Sequence, residues 1–312
     1  MVAMSDFVLG FGLPVSGVWA TPENVQRLAV RAEELGYGSL WTYQRLLAPA
    51  EKDWGPQYRS VLDPVVALAF AAASTSRVRL GTAVINAPFL PAAILARQLV
   101  SLDVLSRGRL DVGLGLGWAR EEFAALGVPY DRRAARLEDT VGALRALWGD
   151  DPVEFHGEFT DVPPSRFLPK PVQRPTPPIL LGATAEAGLR RAGRIADGWI
   201  SSSRFDLHDI ETAVTTVRSA ASDAGRDADA LRFVVRGWVR LGEDVRDDGE
   251  RRPLSGSADA VREDLGRLRE HGATEVFLDL NFVSQVGSPD ADPAAALEHA
   301  HEVLETFAPT RG

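Results

Sequence analysis

Strand-like and helix-like stretches alternate eight times along the chain, and few architectures accommodate that order. Candidate strands fall at 7–13, 39–42, 78–86, 110–116, 178–182, 198–202, 231–239 and 275–281. They are short, rich in Val, Ile, Leu and Phe, and mostly without strict alternation. Strands buried on both faces look like that, as in a parallel sheet. The first helix is the clearest. Thr21 can cap it, and Pro22 fits the first position, where its missing N–H costs nothing. Val25, Leu28, Ala29, Ala32 and Leu35 share one face, and Gly36 supplies a left-handed stop. Similar helices are expected at 64–74, 92–105, 132–148, 185–194, 206–224, 257–271 and 293–307. Eight units without a domain break favour a closed (β/α)8 TIM barrel over a doubly wound open sheet. The 312 residues suit one such domain, which needs about 250 residues plus insertions.

One insertion, at about 150–177, precedes the fifth strand. Residues 153–159 alternate around His156-Gly157 and read as a hairpin; seven prolines between Pro163 and Pro178 then predict extended chain. A polar loop at 242–256 and a loop at 46–59 holding Trp54 and Tyr58 follow strands. In this architecture such loops build the active-site face.

Exclusions narrow the chemistry. Net charge is −9, from 34 Lys+Arg against 43 Asp+Glu, and no basic run offers itself to phosphates, so no nucleic-acid partner is expected. There are no cysteines, hence no thiolate metal site, disulfide or cysteine nucleophile. The five histidines make no zinc motif, no G-x-S-x-G elbow or Walker loop exists, and no metal site is expected. Gly113-Leu114-Gly115-Leu116-Gly117-Trp118 superficially resembles a dinucleotide loop, but its spacing and place are wrong. Without a targeting segment or a long apolar run, a cytoplasmic protein with no membrane span is expected.

The strand ends carry unusual residues. Three alternate glycines, Gly113, Gly115 and Gly117, could let a flat ligand lie against backbone, or could relieve crowding inside the barrel. Gly182-Ala183-Thr184 opens a helix, where free N–H groups form an anion site; Thr184 could equally be a plain cap. Ser201-Ser202-Ser203-Arg204 would suit a phosphate or a polar turn.

These residues carry a resemblance. The run from Gly113 to Trp118, then Glu121-Glu122-Phe123 and Arg133-x-x-Arg136-Leu137-Glu138, resembles the bacterial luciferase-like monooxygenase superfamily. So do Ala196-Asp197-Gly198-Trp199 and the opening Glu33-x-Leu35-Gly36-Tyr37-x-Ser39-Leu40-Trp41. The resemblance covers nearly the whole chain and is strongest to the actinobacterial oxidoreductases that use the deazaflavin coenzyme F-420. It implies a TIM barrel with an insertion, and hydride transfer between F-420 and a small organic substrate. The alternatives are an FMN-dependent monooxygenase using reduced flavin and oxygen, and a barrel that binds a ligand without catalysis. It further implies cofactor contacts from Thr82, Ala83, Val84 and Asn86, with a strand-three bulge at Ala83-Val84, often with a cis peptide, behind the ring. Gly115, Gly117 and Trp118 would flank the ring; Gly182, Ala183, Thr184, Ser201 and Ser202 would meet the phosphate. A homodimer and a reductase partner for the flavin or F-420 are compatible with it.

One departure matters. Many members end strand two with Asp-His; here the positions read Gln44-Arg45. Guanidinium cannot deprotonate as imidazole does, so Arg45 would bind an anionic substrate or steady a negative ring. The acid/base role would fall to Tyr43 or Glu121.

Overall fold

The computed structural model describes residues 7–247 and 249–309; the start and end of the expected 1–312 domain lie outside these residues. Eight strands close into a parallel ring: β1 (Val8–Gly12), β2 (Ser39–Thr42), β3 (Arg79–Thr82), β4 (Leu110–Gly115), β5 (Ile179–Gly182), β6 (Gly198–Ile200), β7 (Arg232–Trp238) and β8 (Glu275–Asp279). Each pairs with its neighbours in parallel, and β8 returns to β1 through Val8 opposite Glu275. The open-sheet alternative is thereby excluded.

A helix follows each strand: α1 (Pro22–Leu35), α2 (Pro64–Ser74), α3 (Ala92–Leu105), α4 (Arg133–Trp148), α5 (Glu186–Ile195), α6 (Ile210–Asp223), α7 (Ala258–Glu270) and α8 (Pro293–Thr306). Capping explains where several begin. Thr21 Oγ1 accepts from Asn24 N, and Asp63 and Asp292 cap α2 and α8, each with a proline at the first position. Gly36 ends α1 at φ 93°, where any other residue would be strained.

The main core lies between strands and helices, while a smaller cluster of Trp41, Leu180, Ile200, Val234 and Phe277 fills the barrel itself. Trp41 stacks on Phe277 at 5.4 Å, and an added Cβ at Gly81 would lie 2.3 Å from the indole. Below this plug, at the N-terminal strand ends, buried charges pair. Arg232 bridges Asp111 (2.7 Å) and Glu275 (2.8 Å), and Arg79 also holds Asp111. The insertion forms a two-stranded ribbon of Val153–His156 with Asp161–Ser165, so the hairpin's return strand starts later than 159 and includes Pro163 and Pro164. Edge strands without a third partner accept prolines. No helix among the described residues is long and apolar enough to cross a membrane.

Candidate functional site

The site begins with a break in β3. Gly81 lies opposite Asp111, but Ile85 lies opposite Leu114, so four steps on one strand match three on the other. The extra residue makes a bulge, which re-aims the backbone at the barrel rim. The peptide between Ala83 and Val84 inside it is cis. Three contacts hold the bulge. Ala83 N donates to Thr42 O at 2.6 Å, Arg236 Nη2 donates to Ala83 O, and Gln44 Oε1 accepts from Asn86 N at 2.9 Å.

The glycines of β4 serve this bulge. A Cβ at Gly113 would lie 1.8 Å from Thr82 O, and one at Gly115 would lie 2.5 Å from Val84 Cγ2. Protein atoms, not an open face, occupy the space they leave, so crowding explains them. Gly117 lies beyond the strand at φ 74° and faces Phe123 and Phe89.

Around the bulge lies a cleft of about 450 Å³ at the C-terminal strand ends. Tyr43, Arg45, Ala83, Val84, Asn86, Gly115, Gly117, Trp118, Gly182, Ala183, Thr184, Ser201 and Ser202 line it together. Two expected residues do not. Thr82 is fully buried, its hydroxyl donating to Gly113 O and accepting from Gly113 N, both at 2.9 Å. It locks β3 to β4 instead of facing a ligand. Glu121 lies outside the cleft, 2.5 Å from Lys52 Nζ. The Lys52 hydrogen bond holds its carboxyl below the usual range, which makes it a charged surface group and a poor proton donor.

The neighbouring Glu122 points inward. It is fully buried, 3.2 Å from Arg45 Nε, and accepts from Leu46 N at 2.7 Å. Arg45 is 8% exposed and ringed by Trp118, Tyr58 and Trp54 at 4.7, 5.2 and 5.5 Å from its guanidinium carbon. Burial pushes its pKa down, opposed by the Glu122 charge. Tyr43 donates to Gln57 O at 2.6 Å, and burial pushes its phenol well above the usual range. It stays protonated at neutral pH and spends its proton on that bond.

At the other end, α5 starts from Ala185 with no side-chain cap, so Thr184 is not the cap. Thr184, Ala187 and Gly188 line the cleft there, with Ser201 and Ser202 opposite. Ser203 and Arg236 are also walls of a second cavity of about 440 Å³, bordered by Arg204, Arg251, Arg252 and Trp238, with Asp206 and Glu250 also on its wall. Arg236 escaped sequence reasoning. It lies inside β7, 6% exposed, and only the closed ring brings it under Ala83 and within 3.6 Å of Asp279. Glu122 had a local signal, since Glu121-Glu122-Phe123 opens a short helix, Arg120–Leu126, whose inward face is set by Phe123. Among the described residues, no cluster of three or more His, Cys, Asp or Glu side chains could hold a metal ion.

Fold and site together define a β/α-barrel protein with a cofactor-sized cleft at its catalytic rim. The chain belongs to the luciferase-like monooxygenase family, whose model matches residues 7–248. It is 37% identical over 243 residues to an uncharacterised Mycobacterium tuberculosis protein, covering 77% of this chain and 75% of that one. It is 32% identical over 170 residues to an FMNH2-dependent dimethylsulfone monooxygenase of Pseudomonas putida, covering 54% and 46%. An F420-dependent glucose-6-phosphate dehydrogenase of Amycolatopsis mediterranei is 30% identical over 200 residues, covering 63% and 58%. In structure the chain is similar to a monooxygenase from Streptomyces bottropensis, with TM-score 0.77, 27% identity, and 96% and 98% of the two chains covered. Relatives thus include users of both cofactors, and members of the family are flavin- or F420-dependent oxidoreductases and monooxygenases.

Proposed function

We propose that the protein is an F-420-dependent oxidoreductase acting on a small organic substrate. One observation supports this reading over the FMN alternative: the cleft shares its Ser203 wall with a second, arginine-bordered cavity of about 440 Å³. FMN stops at its phosphate, whereas the deazaflavin continues beyond its phosphate into a carboxylate-bearing tail. The residues present fit such a group. The Ala83–Val84 bulge offers a flat backing, the uncapped start of α5 and Ser202 offer donors to a phosphate, and Arg204 offers charge to the tail. The cofactor, when bound, supplies the hydride chemistry. The chain's own part is to orient the ring, exclude water with Trp118 and Phe282, and place the buried Arg236 charge beneath the bulge.

Titrating the purified protein with oxidised deazaflavin and with FMN tests this. Deazaflavin should bind at micromolar levels and FMN more weakly. Arg204→Gln should weaken deazaflavin roughly tenfold and FMN by less, since Arg204 borders the second cavity besides lying over Trp118. Preference for FMN, with oxygen consumption on adding reduced FMN, supports the monooxygenase reading; binding of neither supports a non-catalytic barrel.

A further inference from the structure

Arg45 presents an unusual corner of the cleft. No nitrogen of its guanidinium makes a hydrogen bond among the described residues, and Nε and Nη1 are fully buried without one. Its ion pair with Glu122, at 3.2 Å, lacks hydrogen-bond geometry, and Glu122 Oε2 is likewise buried and unpartnered. Three aromatic rings occupy the directions around the cation, and they attract it without satisfying its N–H groups. Arg45 nonetheless lines the cleft, beside the apolar walls of Tyr58, Trp118 and Phe282. Nη2 is the donor left to the cleft, and a ligand that supplies it an acceptor gains a charge-assisted hydrogen bond that the protein does not make.

We propose that Arg45 is a specificity-determining residue that selects a substrate carrying a carboxylate on an apolar body. The carboxylate accepts from Nη2, the guanidinium nitrogen that is neither hydrogen-bonded nor fully buried, and the body lies against the neighbouring rings. Glu122 is then a competitor as well as a support: it holds Arg45 in place between substrates, and its charge opposes the entering anion. This inference rests on the oxidoreductase reading for the word substrate, but the anion site itself can be tested apart from it.

The experiment is calorimetric titration of the deazaflavin-loaded protein with benzoate and with the uncharged isostere benzamide, after the deazaflavin titration has been read on the same sample. Benzoate should bind at one site and benzamide at least tenfold more weakly. Arg45→Met should lower benzoate affinity at least tenfold while leaving benzamide unchanged. Glu122→Gln keeps an acceptor for Leu46 N but removes the competing charge, and should raise benzoate affinity about threefold. Opposite signs for the two variants are what a merely structural pair would not give. Equal binding of benzoate and benzamide, or weakened benzoate binding in Glu122→Gln, overturns the proposal. If deazaflavin fails to bind but benzoate binds the unloaded protein with the same pattern, the anion site stands and the cofactor reading falls. If deazaflavin binds and benzoate does not, the reverse holds.

Discussion

An alanine at position 113 would set its Cβ 1.8 Å from a backbone oxygen of β3, which cannot rotate away. At position 115 the obstacle is Val84 Cγ2 at 2.5 Å, the end of a side chain that can turn. The two substitutions should therefore fail differently. Gly113→Ala should cost about 3 kcal/mol or more in urea unfolding, at the upper end of overpacking. Gly115→Ala should cost about 1 kcal/mol, but the displaced Val84 enters the cleft, so cofactor affinity should fall about tenfold. Titration of the folded protein separates the cases. Residue types alone identified this region as special, yet left open whether its glycines faced a ligand or a neighbour. That choice depends on the neighbouring strand, which sits some thirty positions away in sequence. The exchange of Glu121 for Glu122 has a similar origin: both are in one turn, and only the helix's rotation decides which faces Arg45.

Elements were more legible than their junctions. β2, α2 and α3 begin and end where the sequence places them, because Pro64, Asp63 and the apolar spacing act locally. The stretch expected as one strand at 78–86 is split by the bulge, and the helix expected at 206–224 opens as a separate 3-10 turn at Leu207–Asp209. Bulges answer to the partner strand, so residue pattern alone does not announce them, and only the family resemblance points to this one. One junction makes a pH-dependent prediction. Glu33, in the last turn of α1, accepts from Ser76 N, Arg77 N and Val78 N at 2.6 to 3.1 Å, tying that helix to the lead into β3. Burial alone would raise its pKa, but these bonds favour the charged form and bring it below the ordinary 4.5. A depressed folded pKa means stability present above the unfolded value and lost as pH falls through the folded one. Glu33→Gln should accordingly lower the urea midpoint near neutral pH, and the gap to the wild type should close as the pH falls below the ordinary carboxylate range. A gap independent of pH would show that the charge is not what matters.

At the scale of the whole molecule the two ends of the barrel divide the work. The bottom holds buried charges paired with one another; the top holds the cleft, the bulge, Arg45 and Arg236. Burial pushes Glu275 up, whereas Arg232 and Arg79 overcome the same effect on Asp111 and hold it low. Arg232→Met removes the cation between two buried carboxylates and should cost about 3–5 kcal/mol of unfolding free energy. Cofactor affinity of the protein that remains folded should stay unchanged, as fluorescence titration below the unfolding transition would show. The extra residue of β3 has a consequence of another kind. It resets the parity of the strand, so side chains after it alternate out of phase with those before. Deleting any one residue from 82–84 would leave three steps against three, so Ile85 would keep its core-facing place opposite Leu114 while the bulge at the wall of the cleft would be lost. Chain length in this segment is thus quantised: the rim tolerates substitutions by degree, but the loss of one residue erases the bulge outright.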